Sequence, residues 1–139
     1  MIKLEPFNTK FAMTGRVVMG LYFLLSGLSK LMDTAGTAGY IESVGLPVPM
    51  LLAWCAVIFE SALGLALITG YYAKCAALLL TVFVFVLAFL FHGPGTWEEA
   101  PLQKISFMKN IALAAGLLFM TAHLNEDKTF GSRGGGMNM

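Results

Sequence analysis

The sequence predicts an all-α membrane protein, an antiparallel bundle of four transmembrane helices with both termini in the cytoplasm. Three observations lead there. The 139 residues are 58% apolar and 12% charged, against about 45–50% and about 25% in soluble domains, and the mean hydropathy is +0.76. Four apolar stretches, at about 14–32, 49–69, 71–91 and 105–123, approach the ~20 residues that cross a bilayer. Glycine- and proline-rich breaks separate them, and short connections make neighbouring helices antiparallel. Four spans plus loops leave no room for a large catalytic ectodomain.

Each element has its own justification. The first stretch runs into Lys30, Met32 and Asp33 without a small-x-small cleavage site, so it is expected to stay as a helix rather than leave as a signal peptide. Its Arg16, Gly20, Phe23, Gly27 and Lys30 are spaced 4, 3, 4, 3 and share one stripe. Thr34 to Val44 is too short and polar to span, and reads as a short helix or loop on the outer rim. The Gly45-Leu46-Pro47-Val48-Pro49 run opens the second span, whose stripe is Ala53, Val57, Glu60, Gly64 and Leu67. Gly70 divides it from the third, with Lys74, Leu78, Thr81, Phe85, Ala88 and His92. Gly93-Pro94-Gly95 ends the third, and the fourth carries Lys109, Ala112, Gly116, Phe119 and His123. These faces mix small and polar residues, the composition of packed membrane helices, and are expected to point inward. The membrane domain covers 1–124; residues 125–139, with Gly134-Gly135-Gly136, read as a flexible polar tail.

Orientation follows from the positive residues. The side holding both termini carries Lys3, Lys10, Arg16, Lys74, Lys128 and Arg133, against Lys30, Lys104 and Lys109 opposite, which places both termini in the cytoplasm.

The same residues exclude several functions. A net charge of +1 gives no basic face for nucleic acid. Cys55 and Cys75 have neither a metal-ligand nor a CxxC spacing, and the depths of their helices keep them apart, so no disulfide framework or metal site is expected. The nine methionines are scattered as packing residues, and the two histidines lack the spacing of haem ligands.

What remains is polarity inside apolar spans. The charge-free run from Val17 to Ser29 is 13 residues, about 20 Å of helix against a ~30 Å hydrocarbon core, so some charges must snorkel or face inward. Glu60 lies near the midplane, where a carboxylate costs ~2.5–3.5 kcal/mol without a partner. Depth puts Lys30, Glu60, His92, Lys109 and Asn110 in one outer-side pocket, with Lys109 within reach of Glu60 and Arg16 approaching from the cytoplasmic end. Such groups mark anion, quinone or proton sites; an ion pair that only fixes helix register is the alternative.

The order and spacing of these pieces resemble the DoxX family of membrane proteins. The resemblance rests on Arg16 with Gly20, on Phe23-Leu24-Leu25-Ser26-Gly27-Leu28-Ser29-Lys30, and on Gly45-Leu46-Pro47 to Pro49. It continues through Glu60 with Gly64, Leu67-Ile68-Thr69-Gly70, Phe91-His92, Phe107-Met108-Lys109-Asn110 and Ala115-Gly116-Leu117-Leu118. It covers roughly residues 14–122 and implies a four-helix bundle in the bacterial cytoplasmic membrane, with Arg16, Lys30, Glu60, His92, Lys109 and Asn110 as site positions. DoxX proteins are similar to the DoxD subunit of thiosulfate:quinone oxidoreductase, and members are linked to sulfur metabolism, thiol oxidative stress and quinone detoxification. Eukaryotic relatives act as assembly factors or cargo receptors. The expectation is therefore an accessory membrane component of a redox system that binds a quinone or small sulfur anion, with electrons from a partner protein. The rival is a non-catalytic scaffold for another membrane complex. A homodimer suits either, and the chain carries no dithiol, flavin motif or metal cluster that would let it act unaided.

Overall fold

The computed structural model describes residues 8–124; the expected polar tail lies outside the described residues. Five helices account for nearly all of them: α1 (Asn8–Met32), α2 (Thr34–Ser43), α3 (Pro49–Thr69), α4 (Ala73–His92) and α5 (Leu102–His123), with a 3₁₀ turn at Pro94–Thr96. All but α2 are long and apolar enough to cross a membrane.

The helix ends follow local chemistry. Asp33 caps α2, its carboxylate accepting from the Gly36 amide at 3.0 Å. Pro49 starts α3, where its missing N–H removes no helical bond. Gly70, at φ 87°, ends α3 in the left-handed conformation that glycine adopts without strain. Trp97 donates its indole N–H to the His92 carbonyl at 2.9 Å, occupying one acceptor freed at the end of α4. Helix α1 begins at Asn8 rather than near Thr14, because nothing in its first turns stops a helix, and the Thr14 hydroxyl returns its bond to the Lys10 carbonyl.

Packing is uneven. α1 lies tightly on α3 and α4 on α5, while the seam between α3 and α4 is lighter and α2 rests on α3. The α1–α3 contact is backbone to backbone: a Cβ at Gly20 would lie 2.6 Å from the Gly64 carbonyl oxygen, and one at Gly27 would lie 2.9 Å from the Ser61 amide nitrogen. Small residues permit this approach, which replaces the hydrophobic drive that lipid cannot supply. The core joining the two pairs contains Phe23, Leu67, Leu80 and Leu117, all at most 1% exposed. A smaller cluster, Ala38, Ile41 and Ala53, fastens α2 to the start of α3. The outward flanks carry residues such as Leu25, Ile58 and Phe119, each more than 60% exposed, as suits helices bathed in hydrocarbon.

The inward stripes of α1 and α3 are those the spacing predicts, from Arg16 to Gly27 and from Ala53 to Leu67. Those of α4 and α5 are corrected. Of the expected α4 stripe Ala88 is buried, but Leu78 and Phe85 are half exposed, and the helix also buries Ala76, Ala77, Leu80 and Val84. On α5 Lys109, Ala112, Gly116 and Phe119 are exposed, while Ala114, Leu117, Met120 and Thr121 are buried. The reason is physical: α4 is apolar all round and the polar residues of α5 gather in its first half, so small residues do not identify their packed face, and close filling around Phe23 and Leu80 turns leucine and alanine inward.

Candidate functional site

Toward the end of the bundle where α1 and α4 finish, packing gives way to polarity. Glu60, on the buried stripe of α3, meets Ser26 and Lys30, which lie one turn apart on α1. Lys30 donates Nζ–H to the Ser26 hydroxyl at 2.8 Å, and Ser26 donates to Glu60 Oε1 at 3.3 Å. Lys30 Nζ also lies 2.8 Å from Glu60 Oε2. That contact is an ion pair without hydrogen-bond alignment, so Oε2 is buried with no aligned donor. The carboxylate side chain is 5% exposed and the lysine 30%: the anion is enclosed and its cation reaches toward the surface, as a snorkelling lysine does.

Glu60's partner is thus Lys30 rather than Lys109, the residue that depth arithmetic favoured. Lys30 and Ser26 are carried to Glu60 by the close α1–α3 seam. Lys109 is exposed on α5 and, among the described residues, has no ion-pair partner.

A cavity of about 170 Å³ nevertheless joins these groups. Ser26, Lys30 and Glu60 line it from one helix pair, and His92, Lys109 and Asn110 from the other. Five of the six expected site residues therefore converge. The sixth, Arg16, does not: it is 6% exposed, and its guanidinium packs under Gly70, where an added Cβ would lie 2.7 Å from Nη1. That position, beside the C-terminus of α3, favours a cation through the helix dipole.

Sequence reading missed two contributors. Ser26 links Lys30 to Glu60, and its signal was the i, i+4 spacing to Lys30. Gln103, in the first turn of α5, hydrogen-bonds His92 Nδ1 through Oε1 and fixes the imidazole across the 93–101 connection. With Nδ1 engaged, Nε2 is the ring nitrogen left to meet a ligand. The Asn110 amide, which lines the cavity, carries donor and acceptor together. Among the described residues no cluster of three or more His, Cys, Asp or Glu is suited to a metal ion, and Cys55 and Cys75 form no disulfide.

A second, larger space adjoins the first. It is an open groove of about 590 Å³ between α2, α3 and α4. Lys30, Phe83, Leu87, His92 and Asn110 line both spaces, so the polar cavity and the apolar groove share a mouth.

The family model described as DoxX matches residues 11–93 of this chain. The chain is 32% identical over 120 residues to "Inner membrane protein YqjF" of Escherichia coli strain K12, covering 86% of each chain. It is 29% identical over 107 residues to "Inner membrane protein YphA" of the same organism, covering 76% of each. No solved structure matches the chain.

Proposed function

The chain belongs to the DoxX family of integral inner-membrane proteins, and from that premise we propose that it binds a quinone headgroup or small sulfur anion as one component of a redox or detoxification system. The observation that supports this reading is the convergence of six polar side chains from both helix pairs on one cavity within apolar spans. Intramembrane ionisable groups are costly, and a register device needs only one pair; this cavity carries the Lys30–Glu60 pair and four further polar groups beside it, Ser26, His92, Lys109 and Asn110.

The topology belongs to the same proposal. Gly20 faces Gly64 and Ile68 while Gly27 faces Ser61, a pairing in which numbers rise on one helix as they fall on the other. That supports an antiparallel bundle, and the excess of Lys and Arg at the end holding the termini supports placing it in the cytoplasm. The cavity then opens toward the outer side.

The residues divide the work. Lys109 brings a positive charge that no carboxylate in the cavity neutralises, Asn110 offers an amide to a carbonyl or sulfonyl oxygen, and His92 presents Nε2. A quinone bound there takes up electrons and protons as it is reduced. Glu60, whose Oε2 lacks an aligned donor, is the group to pass a proton to the reduced oxygen, and Lys30 and Ser26 orient it. Electrons come from a partner protein.

Mass spectrometry of small molecules retained after gentle purification into nanodiscs tests this. A quinone or sulfur compound is expected in near-equal amount with the wild type and absent from Lys109→Met and Glu60→Gln variants that remain monodisperse. Loss of the monodisperse bundle in both variants would make the cluster structural. A second reading, a scaffold for a homodimer or another membrane subunit, draws on one observation: α5 exposes Ala112 and Gly116, with nothing within 4 Å of a Cβ added at Gly116. Such a face suits a partner helix, and cysteine cross-linking from position 112 in membranes, together with an empty cavity, would favour it.

A further inference from the structure

We propose that the ligand is a chain-bearing amphiphile with a single-ring headgroup, the ring in the cavity and its hydrocarbon chain in the adjoining groove. This rests on the headgroup reading above and chooses within it.

The sizes separate the two parts. A cavity of about 170 Å³ is close to the ~150 Å³ space that accommodates a benzene ring. The groove, at about 590 Å³, is within the ~300–1,000 Å³ of pockets that enclose a whole drug-sized molecule. A small sulfur oxyanion uses only the first, and leaves apolar walls without the contacts they can make.

The chemistry of the walls gives direction. Along the groove the lining is apolar, with Leu52, Ala56 and Phe59 from α3 facing Val86 and Leu90 from α4. Its charged and amide groups, Lys30, His92 and Asn110, are those that also line the cavity. A ring held by Lys30 and Asn110 therefore directs a substituent through the shared mouth onto apolar surface. The groove's outer end is covered by α2, which Ile41 and Ala38 bind to Ala53 and whose Tyr40 stacks on Phe91 at 5.2 Å. A chain entering from the ring side runs under this roof. Asn110 hydrogen-bonds a ring oxygen while Leu87 and Phe83, shared by both spaces, contact the first carbons of the chain. These shared residues commit the groove to the ligand's own chain rather than to passing lipid.

Cys55 supplies a local reporter, because it lines the groove and not the cavity, whereas Cys75 lines neither. In a Cys75→Ser protein in nanodiscs, the rate of Cys55 alkylation by N-ethylmaleimide reads groove occupancy, and quenching of tryptophan fluorescence reads quinone binding. The probes are a fully substituted benzoquinone with a decyl chain, the same ring with methyl in its place, and decanol, compared at equal bilayer mole fraction. The decyl quinone is expected to slow alkylation by at least about fivefold at saturation and to bind at least about tenfold more tightly than the methyl quinone. Decanol should leave the alkylation rate unchanged. Ala56→Phe, which narrows the groove, should bring decyl affinity down to the methyl value and leave methyl binding as it was. Equal affinity of the two quinones with Cys55 unprotected would overturn the chain assignment while leaving the headgroup reading in place. Protection by decanol equal to that by the decyl quinone would overturn it as well, reducing the groove to a lipid crevice. Binding of neither quinone would sink the headgroup reading, and this inference with it.

Discussion

Replacing Gly64 by alanine asks whether the α1–α3 seam is the frame on which the site depends. A Cβ there would lie 2.6 Å from the Leu24 amide nitrogen, 2.8 Å from the Gly20 carbonyl oxygen and 3.2 Å from Leu24 Cα. All three are backbone atoms, so no change of rotamer relieves the clash. Raising the shortest contact to the 3.4 Å at which ordinary packing begins requires the helices to part by about 0.8 Å. Overpacking of this kind costs ~1–3 kcal/mol. Gly116→Ala is the matched control, because its Cβ meets nothing within 4 Å. Both changes remove a glycine from a helix interior, a gain of ~0.8–1.0 kcal/mol, so the difference between them isolates the seam. Reversible unfolding in mixed micelles should place Gly64→Ala ~1–3 kcal/mol below Gly116→Ala. Glu60 is one turn from Gly64, and the ion pair crosses the same seam, so ligand retention should fall in Gly64→Ala alone. If the two variants unfold within ~0.5 kcal/mol of each other, the helices are not held at backbone contact and the reasoning fails.

Other outcomes follow from the same geometry. Lys30→Met strands a carboxylate that is 5% exposed, while Glu60→Gln leaves a lysine 30% exposed and able to reach water; Lys30→Met should therefore be the less stable by ~1–3 kcal/mol in the same unfolding assay, and the reverse order would mean that Glu60 is not enclosed. His92→Ala and Gln103→Leu act on one hydrogen bond, so their effects on ligand affinity should be non-additive by at least ~0.5 kcal/mol in a double-mutant cycle; additivity would separate the two residues. A fluorescent reporter fused after residue 139 should light up, and alkaline phosphatase inserted at Glu98 should be active, if both termini are cytoplasmic.

The part of this structure that could be read from sequence is the part where polarity and glycine are costly enough to have one explanation. Glu60 at mid-depth of an apolar helix had to find a cation, and the 4, 3, 4, 3 spacing picked out the buried stripes that hold Gly20, Phe23 and Gly27 on α1 and Val57, Gly64 and Leu67 on α3. Which cation it took was not readable, because the choice between Lys30 and Lys109 depends on how closely two backbones approach and on how α5 is rotated. The stripes of α4 and α5 failed for the same reason. In a stretch apolar on every side, Leu117 inward and Phe119 outward satisfy composition as well as the reverse, and only the shape of the neighbouring surface decides. Ser26 stood in the chain as one small polar residue among several; its bridging role exists only once α3 is beside it.

These rotations bear on what the polar groups are for. If Lys30 and Glu60 served only to set register between α1 and α3, the seam would hardly need them, since Gly20, Gly27 and Gly64 already fix that register by backbone contact and any slide would drive a side chain into a carbonyl. Among the described residues the groups from the other pair, His92, Lys109 and Asn110, make no hydrogen bond or ion pair to Glu60, yet they line the same cavity. A bundle selected for stability alone would have closed that seam with leucine, as it does one level deeper with Leu67, Leu80 and Leu117, all fully buried. Instead the two tightly packed pairs leave a cavity with polar walls between them, and α2 rests mainly on α3. A ring that bonds Lys30 on one pair and Asn110 on the other would supply the contact the helices themselves do not make, so its binding energy would be realised as closer association of the two halves. Ligand binding should then raise the unfolding stability of the whole bundle rather than of one helix pair, which is how a binding site differs from a register pin.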